Sequence, residues 1–129
     1  MILVDSSVWI DYFIGIKTKE TDRLDDILGR TPIAIGDLIL AEVLQGFKHD
    51  KDYRMARRVF ESVSIFNMLG YQNAIKSADN YRALRRAGVT IRNTADVIIA
   101  TFCIEAKLPW LFTDKDFHPF VEYLGLCEA

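Results

Sequence analysis

Four acidic residues of this sequence stand where acids are hard to explain. Asp5 follows the apolar run Ile2-Leu3-Val4, and Asp114 follows Trp110-Leu111-Phe112-Thr113. Glu42 lies inside Leu38-Ile39-Leu40-Ala41-Glu42-Val43-Leu44, and Asp96 inside Ala95-Asp96-Val97-Ile98-Ile99-Ala100. A carboxylate buried alone in such a setting pays a large desolvation cost or shifts its pKa far upward, so something cationic should meet these four. Their own segments contain no Lys or Arg. A hard divalent cation relieves the repulsion between clustered carboxylates and takes oxygen ligands while leaving room for water and phosphate oxygens; Mg²⁺ fits, with Mn²⁺ the near substitute. The set holds no Cys or His, which argues against zinc, and no EF-hand spacing exists for Ca²⁺.

Each acid also has an ordinary structural reading. Asp5 can cap a helix, and Asp96, three residues after Asn93, can favour a helix dipole. Asp114 and Asp116 can be first-turn acids of a terminal helix, and Glu42 a half-exposed helix residue. The elements that carry them decide between the two readings. Ile2 to Val4 reads as a short strand buried on both faces, and Asp5-Ser6-Ser7 supplies N-cap chemistry for a helix through Ile14. A second helix covers Thr18 to Leu28 and ends at Gly29, followed by Pro32 and the run Ile33-Ala34-Ile35. Asp37 can cap the next helix, Leu38 to Phe47, and Asp50 to Val63 has the pattern of an amphipathic surface helix. Ser64 to Leu69 reads as a strand and Tyr71 to Ala87 as a long helix closed by Gly88. Asn93 caps a strongly apolar helix to Ala106 that Pro109 stops, Trp110 to Thr113 is the last strand, and a terminal helical segment runs from Asp114 to Leu124.

Short unalternating strands separated by helices specify an α/β fold, a mostly parallel sheet with helices on both faces, formed by one domain over residues 1–129. Ligands of such sheets bind at the carboxyl ends of the strands, where Asp5 and Asp114 are placed. Four acids converging on one sheet edge favour a metal site over a coincidence of capping.

Other chemistry is sparse. No G-x-S-x-G elbow, G-x-G-x-x-G loop, P-loop or H-E-x-x-H occurs. His49 and His118 are isolated, and Cys103 and Cys127 are too few for a disulfide framework, as expected of thiols in a reducing compartment. The apolar N-terminus lacks a basic n-region, and the longest strongly apolar stretch, Val97 to Ile104, is far short of a membrane span, so a cytoplasmic protein without membrane association is expected.

The pieces MILVDSSVWIDYF, LAEVLQGF and ADVIIATFCIEAKLPWLFTDKDF, in this order, resemble the PIN-domain ribonucleases, specifically the VapC toxins of toxin-antitoxin pairs. The resemblance spans nearly everything from Met1 to Phe117. It implies a PIN-like fold, site acids at Asp5, Glu42, Asp96 and Asp114 with Asp116 as a further metal ligand, and hydroxyls at Ser7 and Thr113 lining the site. It also implies a Mg²⁺-dependent endoribonuclease that leaves a 5′ phosphate on tRNA or ribosomal RNA loops, a homodimer, and a cognate VapB-like antitoxin whose C-terminal segment occludes the active site. Asp37 departs from the Ser or Thr that relatives often carry before the Glu42 helix. The alternatives are a non-catalytic RNA-binding module of the same fold and a phosphoacceptor receiver domain. The receiver domain needs an acidic pair just after the first strand, whereas Asp25-Asp26 falls inside a helix.

Composition bears on the substrate. The chain has 129 residues, 50% of them hydrophobic, with 16 Lys+Arg against 18 Asp+Glu and a net charge of -2. Such a balance argues at first against a nucleic-acid ligand. Its distribution argues the other way. Gly46 to Arg58 holds five basic residues against two acids, and Lys76 to Arg92 five against one. Arg85, Arg86 and Arg92 of the second stretch are the candidate RNA contacts, beside an acidic pocket that a bound cation would neutralise.

Overall fold

A computed structural model describes residues 1–129. Strand β1 (Leu3–Val4) leads directly into α1 (Ser6–Ile14), and α2 (Lys19–Leu28) follows. Next come β2 (Ala34–Gly36), α3 (Asp37–Gln45), α4 (Asp50–Phe60) and β3 (Ser64–Phe66). The long helix α5 (Tyr71–Arg86) packs on α6 (Thr94–Ala106), and β4 (Trp110–Leu111), a 3₁₀ turn (Lys115–Phe117) and α7 (His118–Leu124) close the chain.

Local chemistry accounts for the helix ends. Asp5 caps α1, and Gly15 ends that helix in the left-handed conformation at φ 84°. Thr18 and Thr21 form a reciprocal capping box at the start of α2. The Asn93 side chain accepts from the Ala95 N–H at the start of α6. At the other end of α6 it is Lys107, at φ 56°, whose N–H returns to the carbonyls of Cys103 and Ile104. Pro109, expected to stop the helix, lies beyond an end that is already made.

Every strand pair is parallel, as expected, but the strands are shorter than the apolar runs that announce them. They also pair by hydrogen bonds as two separate two-stranded sheets, β1 with β4 and β2 with β3, while β1 and β2 pack side by side. The Asp37 carboxylate explains the early end of β3. Its Oδ1 accepts from the Leu38 N–H at 2.9 Å and from the Met68 N–H at 3.1 Å. Met68 therefore turns away from the ladder and buries its side chain over Gly36, where an added Cβ would lie 2.0 Å from the Met68 sulfur. Asp37 is thus a tie between the start of α3 and the segment after β3, and Gly36 occupies the cap position.

One hydrophobic cluster draws from nearly every element. Trp9 and Phe13 of α1 meet Phe60 of α4 edge to face, with Phe47 against Phe13. Trp110, Phe112, Phe117 and Phe120 form a second aromatic group under the chain end. Helix α6, apolar on nearly all sides, runs through the middle, as such a helix must. Polar ties hold α5 on it: Asn80 donates to the buried Thr101 hydroxyl at 3.0 Å, and Lys76 pairs with Glu105 at 2.7 Å. No helix is long and apolar enough to cross a membrane.

Replacing Asp37 by Ala strands two backbone donors, and urea denaturation should show a loss of about 1–3 kcal/mol. Asp37→Asn keeps an acceptor and should retain most of the stability; equal losses in both variants would contradict the tie.

Candidate metal centre

Parallel pairing of β1 with β4 sets the site. The Leu3 N–H bonds the Pro109 carbonyl and the Asp5 N–H bonds the Leu111 carbonyl, both at 2.9 Å. The carboxyl ends of the two strands therefore lie side by side, with Asp5 after one and Thr113-Asp114 after the other. Ser7 Oγ lies 3.3 Å from Thr113 Oγ1, so the two predicted hydroxyls bridge these strand ends.

Asp5 is 6% exposed. Its carboxylate accepts from the Ser6 N–H at 2.8 Å and from the Ser7 hydroxyl at 3.0 Å. Burial still pushes its pKa up to about 6 against these hydrogen bonds, and the charge of Asp114 adds to the rise. Asp96, in the first turn of α6, is also buried, and its pKa rises to about 7. Burial is the larger cause there, followed by the charges of Asp5, Glu42, Asp114 and Asp116. Glu42, half-buried on α3, is raised by burial and then by Asp5, and its Oε1 is buried without a hydrogen-bond partner.

Asp114 and Asp116 are exposed, and the Asp114 carboxylate accepts from the Asp116 N–H at 2.9 Å to open the 3₁₀ turn. That turn swings Asp116 back toward Asp114 and Asp96, and one carboxylate oxygen from each of the three lies within 4.8 Å of the others. The five predicted acids thus share one electrostatic neighbourhood, but they are not equivalent. Asp96, Asp114 and Asp116 form the tight group, while Asp5 is partly engaged by its serines and Glu42 stands with a free oxygen.

No protein cation offsets them, for the chain's two ion pairs are Arg30 with Asp26 and Lys76 with Glu105, both elsewhere. Three raised carboxyls, an orphaned buried oxygen and a convergent oxygen triad fit a hard divalent cation. The acidic pair Asp25-Asp26 is engaged by Tyr12 and Arg30 and takes no part. Burial pushes the Cys103 thiol up to about 12, which keeps it inert.

The predicted arginines fall outside the acid group. Arg85 and Arg86, with Arg82, line a cleft of about 420 Å³ on the last turns of α5. Arg92 lies nearer, in a cavity whose walls include Lys115 and Asp116. Lys115 is the neighbour that the sequence reading passed over, although its position between Asp114 and Asp116 was a visible signal.

In metal-free protein the raised carboxyls keep protons in the folded state at pH values where the unfolded chain has released them. Their favourable effect on stability is therefore full below the ordinary carboxyl range near pH 4 and is lost as pH climbs through about 6 for Asp5 and about 7 for Asp96. Melting temperature in EDTA should fall over that window, Mg²⁺ or Mn²⁺ should remove much of the fall, and Asp96→Asn should flatten it. A melting temperature that rises with pH in EDTA would contradict the coupling.

The family model described as PIN domain matches residues 2–121. The chain is 29% identical to Ribonuclease VapC11 of Mycobacterium tuberculosis over 131 residues, covering 100% of this chain and 98% of that protein. Its fold is similar to chains in two solved structures. In VapBC2 from Rickettsia felis, bound to a DNA fragment from its promoter, the TM-score is 0.76 at 16% identity, covering 100% of this chain and 98% of that one. In VapBC-1 from nontypeable Haemophilus influenzae the TM-score is 0.72 at 18% identity, with 100% and 97% covered.

Proposed function

This chain belongs to the PIN domain family, and from that premise we propose that it is a divalent-metal-dependent endoribonuclease acting as the toxin of a toxin-antitoxin pair. The observation that carries the reading is the convergence of Asp96, Asp114 and Asp116 beside the unpartnered Glu42 Oε1, with no lysine or arginine in an ion pair with any of them. The relatives named VapC ribonucleases support the activity.

Asp96, Asp114 and Asp116 would hold Mg²⁺ or Mn²⁺, with Asp5 completing the set. A bound ion supplies charge neutralisation at the phosphoryl oxygens and lowers the pKa of water. Glu42 Oε1, already desolvated and free of partners, orients the attacking water and accepts its proton. Ser6 and Ser7 fix the Asp5 carboxylate so that it does not rotate during the reaction. The Ser7 hydroxyl is committed to Asp5, and the Thr113 hydroxyl beside it, at the mouth between the strand ends, donates to substrate oxygens. In-line attack on the phosphodiester leaves a 5′ phosphate and a 3′ hydroxyl. Single-stranded loops of tRNA or ribosomal RNA suit such a site, because their backbone can approach the carboxylates without a duplex partner. Arg82, Arg85 and Arg86 would hold phosphates farther along the chain.

Complexes of toxin with antitoxin among the similar folds support a protein partner. An antitoxin tail presenting an Arg would find unpaired carboxylates here, and its occupancy would exclude the metal and the RNA together. Two groups of exposed apolar side chains provide surface for that partner and for a second copy of the chain: Ile14 and Ile16 at and just beyond the end of α1 with Met55 and Val59 of α4, and Leu69 just before α5 with Tyr71 and Ile75 in its first turns.

Purified protein should cleave RNA in Mg²⁺ or Mn²⁺ and stop in EDTA, and sequencing of the fragments should find 5′ phosphates. Asp5→Asn and Asp96→Asn should each lower the rate by about a hundredfold or more. Undiminished cleavage by both variants, or full activity in EDTA, would refute the assignment.

A further inference from the structure

One concave feature beside the acid group has no role in this scheme. Arg92 and Lys115 line a cavity of about 350 Å³ together with Val89, Thr90, Ile91, Pro119 and the carboxylate-bearing Asp116. Both cations belong to the segments that deliver the acids: Arg92 immediately precedes the α6 cap Asn93, and Lys115 separates Asp114 from Asp116. Both side chains are exposed, and neither forms an ion pair, even with the Asp116 that shares the cavity. The Asp116 carboxylate instead has an oxygen within 4.8 Å of oxygens of Asp96 and Asp114.

Two unpaired cations around a concavity next to an acid cluster form a site for an anion. A guanidinium offers a planar fork that matches phosphate oxygens, and an ammonium adds a mobile point charge. An RNA strand whose scissile phosphate lies at the carboxylates must carry the next phosphate of its backbone only one nucleotide away, and the cavity shares Asp116 with the acid group. The geometry points to Arg92 and Lys115 as the subsite for that neighbouring, uncleaved phosphate, an inference that rests on the nuclease reading for the identity of the polyanion. The subsite holds the strand in register and offsets the repulsion between a polyanion and Asp116. Its contribution falls on substrate binding, so it raises affinity and leaves the chemical step to the acids.

The test is the salt dependence of binding. A fluorescein-labelled RNA hairpin with a single-stranded loop is titrated with protein by fluorescence anisotropy in EDTA across a series of KCl concentrations, for the wild type, Arg92→Gln, Lys115→Gln, the double variant and the charge-conserving Lys115→Arg. Each lost phosphate contact should reduce the slope of log K against log salt by about 0.7, so the double variant should lose about 1.4 and Lys115→Arg almost nothing. Arg23→Gln on α2, an exposed position outside both basic stretches, controls for general loss of charge and should leave the slope near wild type. In Mg²⁺ the double variant should raise KM with kcat little changed, which a merely structural role would not produce. A wild-type slope retained by the double variant, a loss matched by Arg23→Gln, or no binding of the hairpin by the wild type would overturn the subsite. Cleavage without a slope change refutes the subsite and leaves the nuclease reading intact. A slope change without metal-dependent cleavage supports the anion site and refutes the nuclease reading.

Discussion

Carboxylates held against one another without a counter-charge are the constraint on which this molecule is organised. Asp5, Glu42 and Asp96 are each desolvated, each is raised by the charge of at least one other acid, and none meets a lysine or arginine. Left alone, the arrangement opposes folding near neutral pH. A fold that retains it must gain enough elsewhere to tolerate it, and must deliver the acids from segments rigid enough to keep them from splaying apart. The hydrophobic cluster around Trp9, Phe60, Trp110 and Phe117 meets the first requirement and the parallel strands meet the second.

Rigidity comes from how briefly the chain runs between core and site. Asp5 follows a strand of two residues and is itself the cap of the next helix, so its backbone is fixed on both sides. Asp96 sits one turn into a helix buried along most of its length, and Asp114 opens a 3₁₀ turn whose Phe117 is anchored among aromatics. Each carboxylate thus moves only if a core element moves. The cations, by contrast, stand on exposed helix ends and loops. In the proposed scheme the acids fix the chemistry in place, while the arginines and Lys115 adapt to the strand brought to them.

Much of this was legible in the chain because the relevant signals are local. Asp5 and Asn93 announce their helices through capping chemistry, and an acid inside an apolar helix such as Asp96 is conspicuous by its cost. The strand ends were less legible, since two- and three-residue strands are defined by their partners. Phe112-Thr113 and Asn67-Met68-Leu69 look like strand in isolation and leave the ladder for reasons lying elsewhere in the chain. Asp37 illustrates the same limit. Its charge was visible, but its bond to the Met68 N–H spans 31 positions and no periodicity encodes it. Nor could the sequence rank the acids, because the proximity of Asp116 to Asp96 depends on the turn after Asp114.

Holding a divalent cation is the function proposed for these carboxylates, and direct measurement of Mn²⁺ uptake tests it most simply. Electron paramagnetic resonance of free Mn²⁺ during titration with metal-free protein should show saturable binding by the wild type near pH 8, much weakened binding by Asp96→Asn, and competition by Mg²⁺. Absence of saturable uptake by a folded wild type, or uptake unchanged in Asp96→Asn, would contradict the account.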